Sequence, residues 1–234
     1  MSRASLKSLV PAEIRVRLGE CFAAWRERFG SLRRLFVRPP FPRNPDGRVY
    51  VHLGCGRINH PKFINVDLVR REHVHYVCSV ERLPMFEDNS VDLIYCAHCL
   101  EHISHLDTLR VLREWCRVLK PGGILRLSVP DFDRIIAIYE ASGRKIDIVK
   151  TITMGGQGYP YNFHKAIFNR EYLASLLAQA GFVNPRPWEP GMDELTTFED
   201  WSEREVRVGD KRFPVSLNIE AQKAFVIGSE TAKL

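Results

Sequence analysis

Gly54 and Gly56 flank Cys55 directly after the apolar run Val49-Tyr50-Val51-His52-Leu53. A backbone without Cβ atoms at those two positions can pass close to a ligand. It also presents its N–H groups at the carboxyl edge of a sheet, where α/β folds bind cofactors. The same spacing also fits a plain tight turn. Asp67 ends a second short apolar run, Phe63-Ile64-Asn65-Val66. A carboxylate at that strand end is placed to accept both hydroxyls of a ribose. Only 10 residues lie between Gly56 and Asp67, against about 20 in a dinucleotide fold. A full intervening helix does not fit, which argues against a dinucleotide-dependent dehydrogenase.

A second cluster of reactive side chains follows. Cys96-x-x-Cys99 lies beside His98, His102 and His105, and thiolate and imidazole are zinc ligands. The pair has no distant second pair to complete a tetrahedron, and Cys96 is expected to end a buried strand. No metal is therefore assigned from the sequence.

The elements that must position these residues can be read from apolar patterning. Strands are predicted at about 48–53, 63–66, 73–78, 91–96, 123–129, 182–188 and 215–227. Helices fit at about 104–119, 131–142 and 169–180. Pro121-Gly122-Gly123 is read as the terminator of the first helix and Gly181 as the cap of the last. Strand-length runs alternating with helical patterns imply an α/β fold, a seven-stranded mostly parallel sheet with helices on both faces. The acidic stretch 189–214 interrupts the last two strands, with Trp201 and a turn expected at Gly209-Asp210. It reads as a surface hairpin or as a cap that helps choose a substrate.

Charge separates the chain into two parts. Residues 1–43 hold 10 Lys/Arg and 3 Asp/Glu, a net of +7, whereas the remainder carries a net of −1. Leu18, Phe22, Trp25, Phe29, Leu32 and Phe36 recur every three or four residues, giving an N-terminal amphipathic helix with arginines mostly off its apolar stripe. Pro39, Pro40, Pro42 and Pro45 end that arm as a stiff linker. The expected organisation is a basic arm at 1–43 and a nearly neutral domain at 44–234. Residues 17–36 could pack on the domain, lie on an anionic membrane surface or bind another copy or partner. A neutral domain speaks against nucleic acid as the substrate. Six cysteines at irregular spacings and the lack of a secretory signal or an apolar run of spanning length point to a cytoplasmic protein, peripheral at the inner membrane face if the arm binds lipid.

Three further segments complete a pattern: Leu83-Pro84-Met85-Phe86-Glu87-Asp88-Asn89-Ser90-Val91-Asp92, Leu100-Glu101-His102, and Arg117-Val118-Leu119-Lys120-Pro121-Gly122-Gly123. Together with His52-Leu53-Gly54-Cys55-Gly56 and Phe63-Ile64-Asn65-Val66-Asp67-Leu68, in this order, they resemble the class I methyltransferases, specifically the methyltransferase type 11 group. The first segment is similar to a compact subgroup with a shortened first helix. The likeness covers about residues 48–227 and leaves the arm outside.

The resemblance implies S-adenosyl-L-methionine as cofactor, lying across the ends of the first four strands, and a last strand that runs antiparallel. It places Gly54, Cys55 and Gly56 near the methionyl part, Asp67 on the ribose, and Ser79 and Val80 at the adenine. Relatives often carry Asp at the position of Ser79. Ala97-His98-Cys99 would fall at the junction of cofactor and acceptor. If the acceptor must lose a proton, His98 and His164 are the candidate bases, since imidazole titrates near neutrality. Glu101 and His102 are expected to cap or orient a helix, and Tyr159 and Tyr161 to belong to a loop over the acceptor. The expected acceptor is an oxygen or nitrogen of a small molecule or glycan. An inactive scaffold that keeps the fold is the rival reading.

Overall fold

The computed structural model describes residues 30–192, 195 and 199–225. The first strand, β1 (Tyr50–Leu53), is followed by β2 (Phe63–Asp67), β3 (Tyr76–Val77) and β4 (Val91–Ala97). Next come α1 (Thr108–Val118), β5 (Leu119–Pro130), α2 (Phe132–Ala141), α3 (Ile146–Met154) and α4 (Arg170–Ala180). The chain then forms β6 (Phe182–Pro187), a hairpin of β7 (Glu205–Val208) and β8 (Lys211–Pro214), and β9 (Ser216–Lys223).

Seven strands form one sheet in the order β3-β2-β1-β4-β5-β9-β6. β3, β2, β1, β4 and β5 are parallel, and β9 runs antiparallel between β5 and β6. This is the seven-stranded, mostly parallel α/β sheet expected from the sequence. Its strand order reverses between β1 and β4, and the crevice at such a switch point is where open α/β sheets hold ligands. The glycine turn leaves β1 and the Ala97-His98 corner leaves β4 at that point.

Period-two alternation sends β1 and β4 side chains to opposite faces. Val51, Leu53, Ile94 and Cys96 join the main core with Trp115, Leu112 and Val111 of α1 and Leu173 and Leu177 of α4. Trp115 is fully buried, and its indole Nε1 donates to Val80 O at 2.8 Å, so the ring is both packed and satisfied. On the opposite face, Tyr50, Phe63, Leu93, Tyr95 and Trp188 form a second cluster. Residues 54–62, which link β1 to β2, contain no helix, as their short length requires. Aromatic side chains cover the sheet there instead, with His52 between Phe63 and Tyr95. Burial drives the His52 pKa down to about 3, so this layer carries a neutral imidazole.

Several boundaries differ from the sequence reading. The first helix starts at Thr108 and stops at Val118, before Pro121, because Leu119 is already extended and paired with Val91. Lys223 Nζ donates to Leu119 O at 2.8 Å and to Arg117 O at 3.3 Å, satisfying carbonyls that the helix end leaves open. Gly181 does cap α4, in the left-handed conformation at φ 99°. Helix α3 was not anticipated. The hairpin β7–β8 turns at Gly209-Asp210, with Val208 paired to Lys211.

Residues 17–29 of the amphipathic stripe lie outside the described residues. Gly30–Arg33 form one helical turn. Arg34 then donates to Val74 O and His75 O, both at 2.7 Å, and Phe41 stacks on His75 at 5.2 Å. The linker is thus tied along the β3 edge, while Leu32 and Phe36 of the stripe remain 60% and 87% exposed. No helix among the described residues is long and apolar enough to cross a membrane.

Candidate active site

Gly54 and Gly56 take positive φ of 65° and 55°, a region that side chains with a Cβ rarely adopt. The two differ in what surrounds them. A Cβ on Gly54 would stand 2.6 Å from Cys99 Sγ, whereas nothing lies within 4 Å of a Cβ on Gly56. Gly54 therefore permits the close packing of the β1 turn against the β4 corner, and Gly56 borders open space. Gly54 N and Cys55 N both donate to Val66 O, at 2.9 and 3.3 Å, which stitches the turn to the end of β2. Cys55 is buried, and burial pushes its thiol well above the usual range, making it a packing residue.

Asp67 faces this turn. Its Oδ2 accepts from Gly56 N at 2.8 Å and its Oδ1 from Val69 N at 2.7 Å. His73 Nε2 contacts Gly56 O at 3.1 Å from the other side. A carboxylate offers about four lone-pair positions, and these two bonds use two of them. Ser79 Oγ accepts from Glu81 N at 3.2 Å, and Val80 gives its carbonyl to Trp115, which leaves the Val80 N–H.

The corner after β4 is built differently. Ala97 closes the strand opposite Ser128, and His98 follows in a left-handed conformation at φ 49°. Such a backbone in a non-glycine residue costs about 1 kcal/mol or more and must be held by its surroundings. Here His98 N donates to Ser128 O at 2.8 Å, and its Nδ1 lies 3.1 Å from Glu101 Oε1. Its Nε2 lies 2.8 Å from Ser216 Oγ. The Trp201–Glu203 turn of the 189–214 stretch sits over this corner. Trp201 O accepts from Ser216 Oγ at 2.8 Å, the Trp201 and His98 rings are 5.9 Å apart, and Tyr95 OH donates to Asp200 at 2.5 Å.

Glu101 is 1% exposed and stands among histidines. It does not cap α1, contrary to the expectation from sequence. It belongs to a short 3-10 turn, Leu100–His102, that precedes the helix. Burial alone would raise its pKa. The hydrogen bond from His98, with the nearby His102 and His164, outweighs that and holds it below the ordinary carboxylate value. His164 arrives from 62 residues downstream of His102, and its Nε2 lies 4.0 Å from Glu101 Oε1. Burial lowers the His164 pKa, with Glu101 opposing. Lys165 N and Ala166 N both donate to Glu101 O, at 2.7 and 3.2 Å, so two backbone bonds fix this approach.

A cavity of about 370 Å³ opens beside His164, lined also by His105, Lys165, Ala166, Ile167 and Tyr172. Tyr159 and Tyr161 are exposed on the neighbouring loop. The structure thus groups Gly54, Cys55, Gly56 and Asp67 at one end and His98 and His164 around Glu101 at the other, joined by Cys99, which touches Gly54. Sequence reasoning missed the central place of Glu101. Its only local signal was a carboxylate three residues after His98, in a turn tight enough for the two side chains to meet.

Comparison with known proteins bears on these groups. Residues 59–127 match a family model described as a methyltransferase domain. The ubiquinone/menaquinone biosynthesis C-methyltransferase UbiE of Vibrio vulnificus (strain YJ016) is 32% identical over 120 residues, covering 48% of this chain and 45% of that protein. Its counterpart in Vibrio campbellii is 40% identical over 122 residues, covering 49% and 46%. The chain spans about half the length of the curated relatives it matches. Among solved structures, a SAM-dependent methyltransferase from Archaeoglobus fulgidus is similar with a TM-score of 0.48 and 18% identity, over 75% of this chain and 86% of that one. The family match over residues 59–127, a methyltransferase domain, thus falls within a seven-stranded sheet that has an antiparallel β9 and a glycine turn after β1.

Proposed function

We propose that this protein moves a methyl group from S-adenosylmethionine to an oxygen or nitrogen of a small molecule or glycan. The observation that carries this reading is the convergence of the Gly56 N–H and the Asp67 carboxylate at 2.8 Å beside open space. The two unused acceptor positions of Asp67 suit the ribose hydroxyls, and the turn through Gly54, Cys55 and Gly56 suits the methionyl end. The Val80 N–H and the Ser79 hydroxyl would meet the adenine edge, and Ala97 lies beside the reacting centre. When bound, the cofactor supplies a methyl group on a sulfonium, which leaves with its bonding electrons remaining on sulfur as the acceptor attacks in line.

The protein's task is then alignment of acceptor and methyl group. His98 has both ring nitrogens engaged and a side chain only 13% exposed, so we assign it the positioning of Glu101. His164 borders the cavity and is assigned to the acceptor. The Trp201 turn acts as the cap that narrows access to His98.

A second reading, transfer to carbon on a quinone-type ring, draws on the names of the Vibrio relatives. It is favoured by the cavity wall, where Ile167 and Tyr172 are about half exposed. For the arm, exposure of Leu32 and Phe36 supports contact with a membrane surface or a second copy.

Calorimetric titration with S-adenosylhomocysteine tests the core of the proposal. Binding is expected in the wild type. Absence of heat would instead leave an inactive scaffold. The acceptor is then sought by comparing hydroxyl, amine and quinol compounds in a methyl-release assay.

A further inference from the structure

Glu101 presents an unusual account of its two oxygens. Oε1 is bonded to His98, but Oε2 is completely buried with no hydrogen-bond partner among the described residues. A carboxylate oxygen denied both water and a donor costs about 1–3 kcal/mol or more, and such an atom in a native fold calls for an explanation, an ion among them. Two further imidazoles, of His102 and His164, stand close to this carboxylate, His164 Nε2 lying 4.0 Å from Oε1. One ligand atom each from Glu101, His102 and His164 lies within 4.8 Å of the others. Ligands bonded to one metal ion at about 2.1 Å stand roughly 3–4 Å apart, so small side-chain rotations would close the set.

The second nitrogen of the His102 ring reinforces this. His102 Nδ1 meets Phe163 O at 3.1 Å, leaving Nε2. His164 Nε2 is the atom turned toward Glu101, 4.0 Å from its Oε1. Metal-ligating histidines characteristically donate their other N–H to a backbone carbonyl, which fixes tautomer and ring orientation. The Lys165 and Ala166 bonds to Glu101 O hold the two chain segments together in advance.

The geometry points to a divalent-cation site whose three protein ligands are Glu101, His102 and His164. Two histidines and one carboxylate suit Mn²⁺, Fe²⁺, Co²⁺ or Zn²⁺ and leave coordination positions open. His102 is half-buried and His164 borders the cavity, so an incoming oxygen can reach the ion. The use of the ion rests on the methyl-transfer reading; its binding does not. An acceptor hydroxyl held on the ion would release its proton to water more readily. The resulting oxygen would attack the methyl carbon, with His164 serving as a ligand and no longer as a base.

The test uses chelator-treated full-length protein titrated with Mn²⁺ alone, the free ion being counted by electron paramagnetic resonance, and with Co²⁺ alone, followed by visible absorption. One Mn²⁺ per chain is expected. His102→Ala and Glu101→Gln should each weaken it more than about tenfold. Cys99→Ser should leave it unchanged, and the Co²⁺ spectrum should lack the intense band of a thiolate ligand. Should Glu101→Gln fail to fold, His102→Ala carries the test from its partly exposed position. No binding tighter than about millimolar, binding indifferent to His102→Ala, or binding that depends on Cys99 would overturn the site. S-adenosylhomocysteine calorimetry on the same samples separates the two proposals. Cofactor heat without Mn²⁺ binding removes the ion alone, and Mn²⁺ binding without cofactor heat upholds the site while removing its catalytic use.

Discussion

The two ends of the active-site crevice are made of different material. The end holding Gly54, Gly56 and Asp67 is largely backbone. Its key contacts, Gly54 N to Val66 O and Gly56 N to Asp67, join the tips of adjacent parallel strands through residues only 12 and 11 apart in sequence. The end holding Glu101 is made of side chains from segments far apart in the chain: His98 and His102 beside it, His164 beyond β5, α2 and α3, and Ser216 at the start of β9. On the proposed reading the first end addresses only the cofactor, so it is indifferent to the chemistry of the acceptor. The other can change its chemistry without disturbing the first, and Cys99 against Gly54 is the contact through which the two communicate.

That contrast can be broken at several points, and His164→Ala should have the largest effect. Turnover is expected to fall by about 10²-fold or more, with S-adenosylhomocysteine affinity nearly intact, as measured by steady-state kinetics beside calorimetry. Equal loss of both would mean that the ends are not separate. Gly54→Ala should destabilise the fold by about 3 kcal/mol, since the new methyl group meets Cys99 and the backbone keeps a positive φ. Urea unfolding reads this directly.

Asp67→Asn should weaken S-adenosylhomocysteine by roughly 30-fold, about 2 kcal/mol for the loss of charged hydrogen bonds. Gly56→Ala sharpens the comparison between the glycines. It should cost only about 1 kcal/mol of stability, yet reduce cofactor affinity about tenfold, because the added methyl group enters the space assigned to the ligand. A Gly56→Ala variant that binds normally would place the cofactor elsewhere. Smallest of all, Phe36→Ser, at an exposed position, should shift unfolding by less than about 0.5 kcal/mol. A larger loss would show that the arm packs on the domain.

Legibility from sequence followed the range of the interactions. β1, β2, β4 and α4 were found close to their limits because continuous apolar runs and Gly181 are local signals. Helix α3 was missed for an equally local reason. Ile146, Ile148, Val149, Thr151, Ile152 and Thr153 are β-branched and disfavour helix, and Lys145 supplies no capping side chain. Tertiary packing of Val149 and Ile152 with Ile135, Ile138 and Val215 overrides that preference. In the same way, β5 begins at Leu119 because Val91 pairs with it, a partner that patterning alone does not name.

By itself, then, the sequence determined the parallel α/β sheet, the turn at Gly54–Gly56 and an acid at the neighbouring strand tip. Each depends on residues close in the chain, where backbone propensity and side-chain period act directly. Only the tertiary structure decided that Glu101 is buried among His98, His102 and His164 with one oxygen lacking a hydrogen-bond partner among the described residues. Chain separation hides such a cluster. The meeting of His102 with His164 depends on how β5, α2 and α3 carry the chain away and return it, and no local pattern encodes that path.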